Sequence, residues 1–509
     1  MSSTDALSPD TSRSIANKLE SLAKSFAAGY QGLSNAGRTG LSALTGDSLD
    51  PVLRSITMEE KDFLLTKDIP VIKATQSVYM YNVKTAVQSN LDLAGWETFL
   101  PQEDTSQYMR VAEVLKVYGI RKSITQMAAL TNQAGGFLID IEKENDLNAA
   151  LALAQAMERD GYIGGDMYLA ADGSIDATIA ANPQFQSIIR QARGIQANIR
   201  EGDQSARGIS GDFVGYGNNR SVVFDRKGGV LDRAFLDKVV TAVKDSRGAV
   251  KEAHCTTSQL AEFRATFFPF ERGDLGSAYA IRGAGITNDE QNALPIPTVG
   301  GVIDFIPTVF KYQRQKAEPV VSGQGNMPIT ITTIGAPAAS ASITGSGFAV
   351  AEQYVYQFQS ANMFGLNVGQ ASSVYTVGGA DANKAVEVAL TLSAGHNISH
   401  INVFRSPKEA LGDVSKCFFV GRIAVVPGQT AVKLVDNNRI IPGLDSVVML
   451  PKDKNRAKMA VLGNLVNKMV LGQTGPAEQT MYTSYLAFIV DRPRSFALVD
   501  NVFQNREGL

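Results

Sequence analysis

The chain has 509 residues, a formal net charge of −2, and 44% hydrophobic against 19% charged residues. That composition excludes a disordered chain and leaves no general basic footprint for nucleic acid, and the length is that of two or three domains. No window approaches the ~18–20 continuous apolar residues of a membrane-spanning helix, and the start, MSSTDALSPDTSRS, lacks the basic and apolar regions of a secretory signal, so the expectation is a soluble product made in a cytoplasm.

Residues 1–60 are rich in Ser, Ala, Gly and Asp and read as an N-terminal arm. Ile15, Leu19, Leu22 and Phe26 recur at helical spacing and predict an amphipathic helix over Ser14–Ala27. Residues 75–122 read as a long hairpin. Its outgoing run is Gln76–Lys84, its return run is Gln107–Arg121, and its polar tip carries Trp96, the single tryptophan. A two-stranded ribbon of this length needs another surface to lie on. A helix is expected at Glu142–Arg159, with Leu147, Leu151, Ala154 and Met157 on its apolar face. Acidic residues crowd its start, Arg159 marks its end and Gly161 its stop.

Residues 172–230 are irregular. A second helix is expected at Leu231–Asp245, where Leu231, Phe235, Val239 and Val243 recur at steps of four beside Leu236 and Val240. A third, Ser258–Phe268, starts at a Thr257 or Ser258 cap and stops at Pro269. The strand Gly301–Val309 follows. From Pro328 to Ala431 short alternating runs (ITITTI, EQYVYQFQSANMFG, KAVEVALTLSAG, ISHINVFRSP, CFFVGRIAV) are separated by turn residues, which is the pattern of a β-sandwich spliced into a mixed domain. Tyr354, Tyr356 and Phe358 alternate as packing residues. Pro442–Leu471 is mixed, and two closing strands, Tyr482–Val490 and Ser495–Val502, are split by Arg492-Pro493-Arg494.

Chemistry has little material here. The phosphate loop GxxxxGK[ST], HExxH and GxSxG are absent, and the chain has three histidines. His396 and His400 flank a turn with no Cys or carboxylate beside them, and read as solvated. His254 and Cys255 are neighbours on a strand and point to opposite faces, so they do not form a nucleophile–base pair. Asp140, Glu142, Glu144 and Asp146 suit a helix N-terminus. Gly283 with Gly285, and Gly345 with Gly347, read as turns. Cys255 and Cys417 read as buried thiols in a reducing compartment. Tyr79, Tyr81 and Tyr108 with Arg110, Arg121 and Lys122 make an aromatic–basic set, read as a partner-protein surface or sheet face before a single-strand platform. No catalytic, metal or cofactor-binding residue is assigned.

The order of elements resembles the major capsid proteins of tailed bacteriophages, the Hong Kong 97 fold. Glu142–Asp166 resembles that family's spine helix and its exit, Gly229–Pro269 its helix–strand–helix, and Tyr485–Val502 its closing strands. The resemblance implies an α+β capsid fold. It has an arm (1–60), an E-loop hairpin with flanks (61–135), peripheral and axial domains (136–318, completed by 437–509), and an inserted all-β sandwich (319–436). The insert is similar to the immunoglobulin or fibronectin type III domains of some large myovirus capsid proteins, and is expected on the outside. The implied function is an icosahedral shell of hexamers and pentamers enclosing double-stranded DNA, held by weak non-specific contact, and not an enzyme. The implied partners are copies of the chain itself, portal and scaffolding proteins, with room for a decoration protein; no membrane is involved. The implied location is the virion capsid, assembled in the host bacterial cytoplasm. Some family members cross-link Lys to Asn between E-loop and neighbour. Lys84 begins the tip, but no Asn partner or acid is identified, so non-covalent clamping is expected. The candidate assembly contacts are Tyr79, Tyr81, Lys84, Trp96, Tyr108, Arg110, Arg121 and Lys122. The alternatives are an encapsulin-like compartment shell, and a tail protein or adhesin whose sandwich binds glycans.

Overall fold

The computed structural model describes residues 63–86, 107–127, 141–176, 189, 191–204, 221–246, 248–274, 294–310, 329–335, 348–362, 365–366, 369–408, 413–451, 456–471 and 477–504, with short pieces at 179, 185, 212–213 and 217–218. These all belong to one compact unit, Met58–Thr131 with Ile141–Leu509. The expected arm with its helix Ser14–Ala27, the hairpin tip with Trp96, and the Gly283 and Gly345 turns lie outside the described residues.

The described chain begins with a short helix, α1 (Leu64–Asp68), and then α2 (Ile141–Ile163). α2 runs four residues past the expected end at Arg159, and Gly161 does not stop it. The glycine serves close approach instead: a Cβ there would lie 2.5 Å from Leu65 and 2.9 Å from Phe488. The buried stripe is also rotated from the expected one. Ala149, Leu153 and Met157 are buried, whereas Leu147 is 55% exposed. The small Ala149 at one end of the stripe lets the helix lie flat on a five-stranded sheet, where Tyr482, Leu486 and Phe488 complete the core.

That sheet is built on one long strand, Ala477–Val490. Lys116–Thr125 and Asn467–Leu471 flank it on opposite edges along residues 479–483, Ala457–Leu462 pairs with its far end, and Val71–Ala74 adds a parallel strand outside that. The expected return run of the hairpin is therefore two strands. Gln107–Val114 pairs with Val78–Ala86, and the chain then turns at buried Leu115 and joins the five-stranded sheet. The register explains the break, because Leu115 N–H already donates to Ser77 O, at the root of the ribbon, at 2.9 Å.

A six-stranded sheet forms the second layer, in the order 222–225, 497–502, 445–451, 250–255, 301–307, 294–298. α3 (Ile195–Gln204) contacts the strands of both sheets; α4 (Arg233–Asp245) and α5 (Thr257–Asp274) pack on the six-stranded one. α4 follows its spacing: Leu236, Val239, Val240 and Val243 are buried, and Asp232 caps the first turn by accepting the Phe235 N–H at 2.7 Å. α5 differs from expectation at both ends. Its cap is Thr256, whose hydroxyl accepts the Gln259 N–H while Gln259 Oε1 accepts the Thr256 N–H, a reciprocal box. The helix also continues through Pro269, which removes one backbone bond without ending it.

The chain leaves the six-stranded sheet after Pro307 and returns at Asp445, and both of those strands pair with Val250–Cys255. Between them stand two antiparallel sheets. One is Ile329–Gly335, Val386–Leu392 and Ala431–Asp436; the other is Tyr356–Asn362, His400–Arg405 and Phe418–Ala424 with two short added strands. Val388, Leu390, Val432 and Leu434 of the first meet Phe358, Ile401, Val403 and Ile423 of the second in one core, so the region is a β-sandwich. Tyr354, Tyr356 and Phe358 are buried in it, as their alternation implies. Arg405, 1% exposed, ties the sheets together. It bonds Asp436, Asn438 and Ile440 O, and its guanidinium lies 5.1 Å and 5.4 Å from the ring centroids of Phe348 and Tyr354.

Candidate assembly surface

The ribbon of Val78–Ala86 and Gln107–Val114 has two unlike faces, because strand residues alternate sides. Tyr79, Tyr81, Val111 and Glu113 face inward. The two tyrosine rings lie 6.2 Å apart and pack on a small core of Ala74, Leu115, Ala460, Ala487 and Ile489. Met80, Asn82, Arg110 and Ala112 face outward; Met80 is 54% exposed, and Arg110 Nε donates to Asn82 Oδ1 at 3.3 Å. By residue type alone the tyrosines and arginines group as one surface. The structure separates them, and the aromatic face is spent on the chain's own sheet.

Arg121 and Lys122 do not belong to the ribbon. They are consecutive on Lys116–Thr125 and point to opposite faces of the five-stranded sheet, Arg121 being exposed and bonded to Gln479. Lys84 and Tyr108 are register partners in the ribbon, and Trp96 lies outside the described residues.

The ribbon's root is fixed by buried polar contacts that the sequence reading missed. Arg193 bonds Glu113 of the ribbon at 2.9 Å and Glu201 of α3, all three being at most 6% exposed. Lys116 Nζ donates to Ile189 O at 2.6 Å; burial pushes its ammonium down and Glu113 pulls it back up. Tyr118 donates to Asp160 Oδ2 and accepts the Ala192 N–H, both at 2.9 Å, so it ties the strand to the end of α2.

Two further residues brace α2. Glu158 accepts from Leu65 N–H, Thr66 N–H and the Thr66 hydroxyl at 2.6, 2.7 and 2.5 Å and so caps α1; burial pushes this carboxyl up, while those bonds pull it down. Asp146 bonds Lys468 Nζ at 2.7 Å and the Tyr482 hydroxyl, which hold it below the usual carboxylate range. It thus joins helix to sheet, beyond the dipole role expected of it. Beyond the helix, Arg200 of α3 reaches Asp166 at 2.8 Å and Asp500 at 2.6 and 2.7 Å, with none of the three residues more than 7% exposed. No hydropathy signal exposes these residues. α3 (IQANIREGDQ) is a helix inside the stretch 172–230 expected to be irregular, and Gln196, Asn198, Arg200 and Glu201 are all buried on it.

Little of this is reactive. His254 Nδ1 lies 2.6 Å from the Tyr162 hydroxyl, both groups being buried between α2 and the six-stranded sheet. Cys255 and Cys417 are buried and form no disulfide, and burial pushes the Cys417 thiol up to about 12. His400 is not solvated as expected: it is 7% exposed, stands edge-on to Tyr168, and burial with nearby Arg422 lowers it to about 3. His396 is half-buried, and its Nε2 lies 2.6 Å from Gln429 O. Among the described residues no group of three or more His, Cys, Asp or Glu is placed to hold a metal ion.

No family model matches the sequence, and no curated protein matches it. Among solved structures, the capsid of cyanophage P-SCSP1u is 8% identical, with a TM-score of 0.42, covering 92% of this chain and 96% of that one. The capsid of Myoviridae phage XM1 is 7% identical, with a TM-score of 0.39, covering 91% and 99%. The holo-SrpI encapsulin complex of Synechococcus elongatus PCC 7942 is 10% identical, with a TM-score of 0.36, covering 91% and 96%. At these values the function rests on the chain's own geometry.

Proposed function

We propose that this chain is the shell-forming major capsid protein of a tailed double-stranded DNA phage, assembling as hexamers and pentamers. The observation that carries the reading is the ribbon. It is held at its root by buried charge pairs, yet it pairs with no third strand among the described residues. Its outward face carries exposed Met80 and Arg110. The inner face already rests on the chain's own sheet, so the outward face is the surface left for a neighbouring subunit, through interfaces of ~1,200–2,000 Å² each. The element order supports the same reading, with the long helix on a sheet, a second six-stranded layer and closing strands around Pro493. In this reading residues 319–436 are an immunoglobulin-like insert on the outer surface. Portal, scaffolding and decoration proteins are the further partners. DNA is touched weakly, as a net charge of −2 favours.

The test is substitution on the outward face of the ribbon. Met80→Asp and Arg110→Glu are expected to leave the subunit's melting temperature within about 2 °C, as surface changes do, and to abolish or strongly delay assembly followed by light scattering. Normal assembly by both variants would remove the ribbon from the account.

A further inference from the structure

The sandwich does not close its own core. Met167 and Ile175, which follow α2 in the chain, are 1% and 4% exposed and belong to the sandwich core. The segment that carries them is gripped from both sheets. On one side Tyr168 lies parallel to Arg422; the Arg422 N–H donates to Met167 O and the Leu169 N–H to Arg422 O, both at 2.8 Å. On the other side Gly173, with φ +80°, sits so close to the strand Ala431–Asp436 that a Cβ would lie 2.3 Å from Val435 O. The Arg422 guanidinium also reaches back to the end of α2, with Nη1 3.4 Å from Ile163 O and 3.5 Å from Asp166 O, where a helix favours positive charge.

The gripped segment is strained. Met167 has φ +64°, a left-handed conformation that a long side chain adopts only when its surroundings impose it. The groups that surround it are the Arg422 backbone, the sandwich core around its side chain, and Arg200 Nη2, 3.6 Å from its sulfur.

We infer that the sandwich is a clamp: by adding residues 167–175 to its open edge, it fixes the path of the chain leaving the long helix. The insert expected on the outside is thus also a part that holds the body in shape. The inference rests on this joint alone, independently of the shell reading.

The test is hydrogen–deuterium exchange on the full chain. A Cβ at Gly421 would meet the Leu169 side chain first, at 2.8 Å, so Gly421→Ala wedges the joint. Exchange is expected to rise on the order of tenfold over residues 164–176 and the last turn of α2, with 386–392 and 400–405 staying protected. Adding Leu169→Ala makes room for the methyl and is expected to restore most of the protection. Ile175→Ala, which only thins the shared core, is expected to loosen 164–176 as well. Wild-type protection of 164–176 in both Gly421→Ala and Ile175→Ala would overturn the clamp. So would loosening of 164–176 only together with the whole sandwich.

Discussion

At the scale of residues, the buried charges decide stability and its pH dependence. Arg200 serves two carboxylates, Asp166 and Asp500, and Arg200→Met breaks both of these buried pairs. A loss of about 3–5 kcal/mol is expected from urea unfolding, as for other broken buried pairs. The half-exposed pair Arg226–Asp232, treated as Arg226→Met, should cost no more than about 1 kcal/mol. His400 gives the pH signature. Its folded value is lowered to about 3, while the unfolded side chain titrates near ~6.5. Between these values the unfolded state binds more protons, so stability is full above about 6.5 and falls as pH drops through the window. Replacing His400 by Gln should remove about 2 kcal/mol of the stability lost between pH 7 and pH 5, by the same linkage. Equal losses in both proteins would show that His400 is not the group responsible.

At the scale of elements, close backbone approach does what side chains usually do. Gly164, at the exit of α2, faces the Ala192 carbonyl so closely that a Cβ would lie 2.1 Å from its oxygen and 2.5 Å from Asp160 O. The neighbours are backbone atoms that cannot swing away, so Gly164→Ala should cost about 3 kcal/mol or more, at the top of the overpacking range. A variant with wild-type unfolding would mean the exit is free to shift. α4 was legible in the sequence because Leu236, Val239, Val240 and Val243 obey one period and Asp232 supplies the cap. α2 was legible as a helix, but its buried face was not. Ala149 and Gly161 carry little hydropathy, and their role is contact distance, which composition does not encode. The break at Leu115 was hidden for a different reason: residues 107–125 are β-prone throughout, and only pairing with two different partners divides them.

At the scale of the whole molecule, the sequence pattern located the sandwich between two strands of a mixed domain but not its dependence on the body. Met167 and Ile175 lie far before the strands Ile329–Gly335 to Ala431–Asp436 whose core they fill, and no local period links them. The pattern alone suggests that shells survive deletion of residues 328–431. The shared core leads to the opposite expectation, since deletion would expose Met167 and Ile175 and release the strained exit. Likewise, the aromatic–basic set at the ribbon was found by type but not by face, and Met80, on the outward face, was overlooked.

The most direct measurement on the central claim is electron microscopy of the purified full-length chain under conditions that favour assembly. Closed icosahedral shells built of hexamers and pentamers, with the sandwich as a surface knob on each subunit, are the predicted result. Tubes, open rings or dispersed monomers at high concentration would contradict the shell reading and return the chain to the tail-protein or adhesin class.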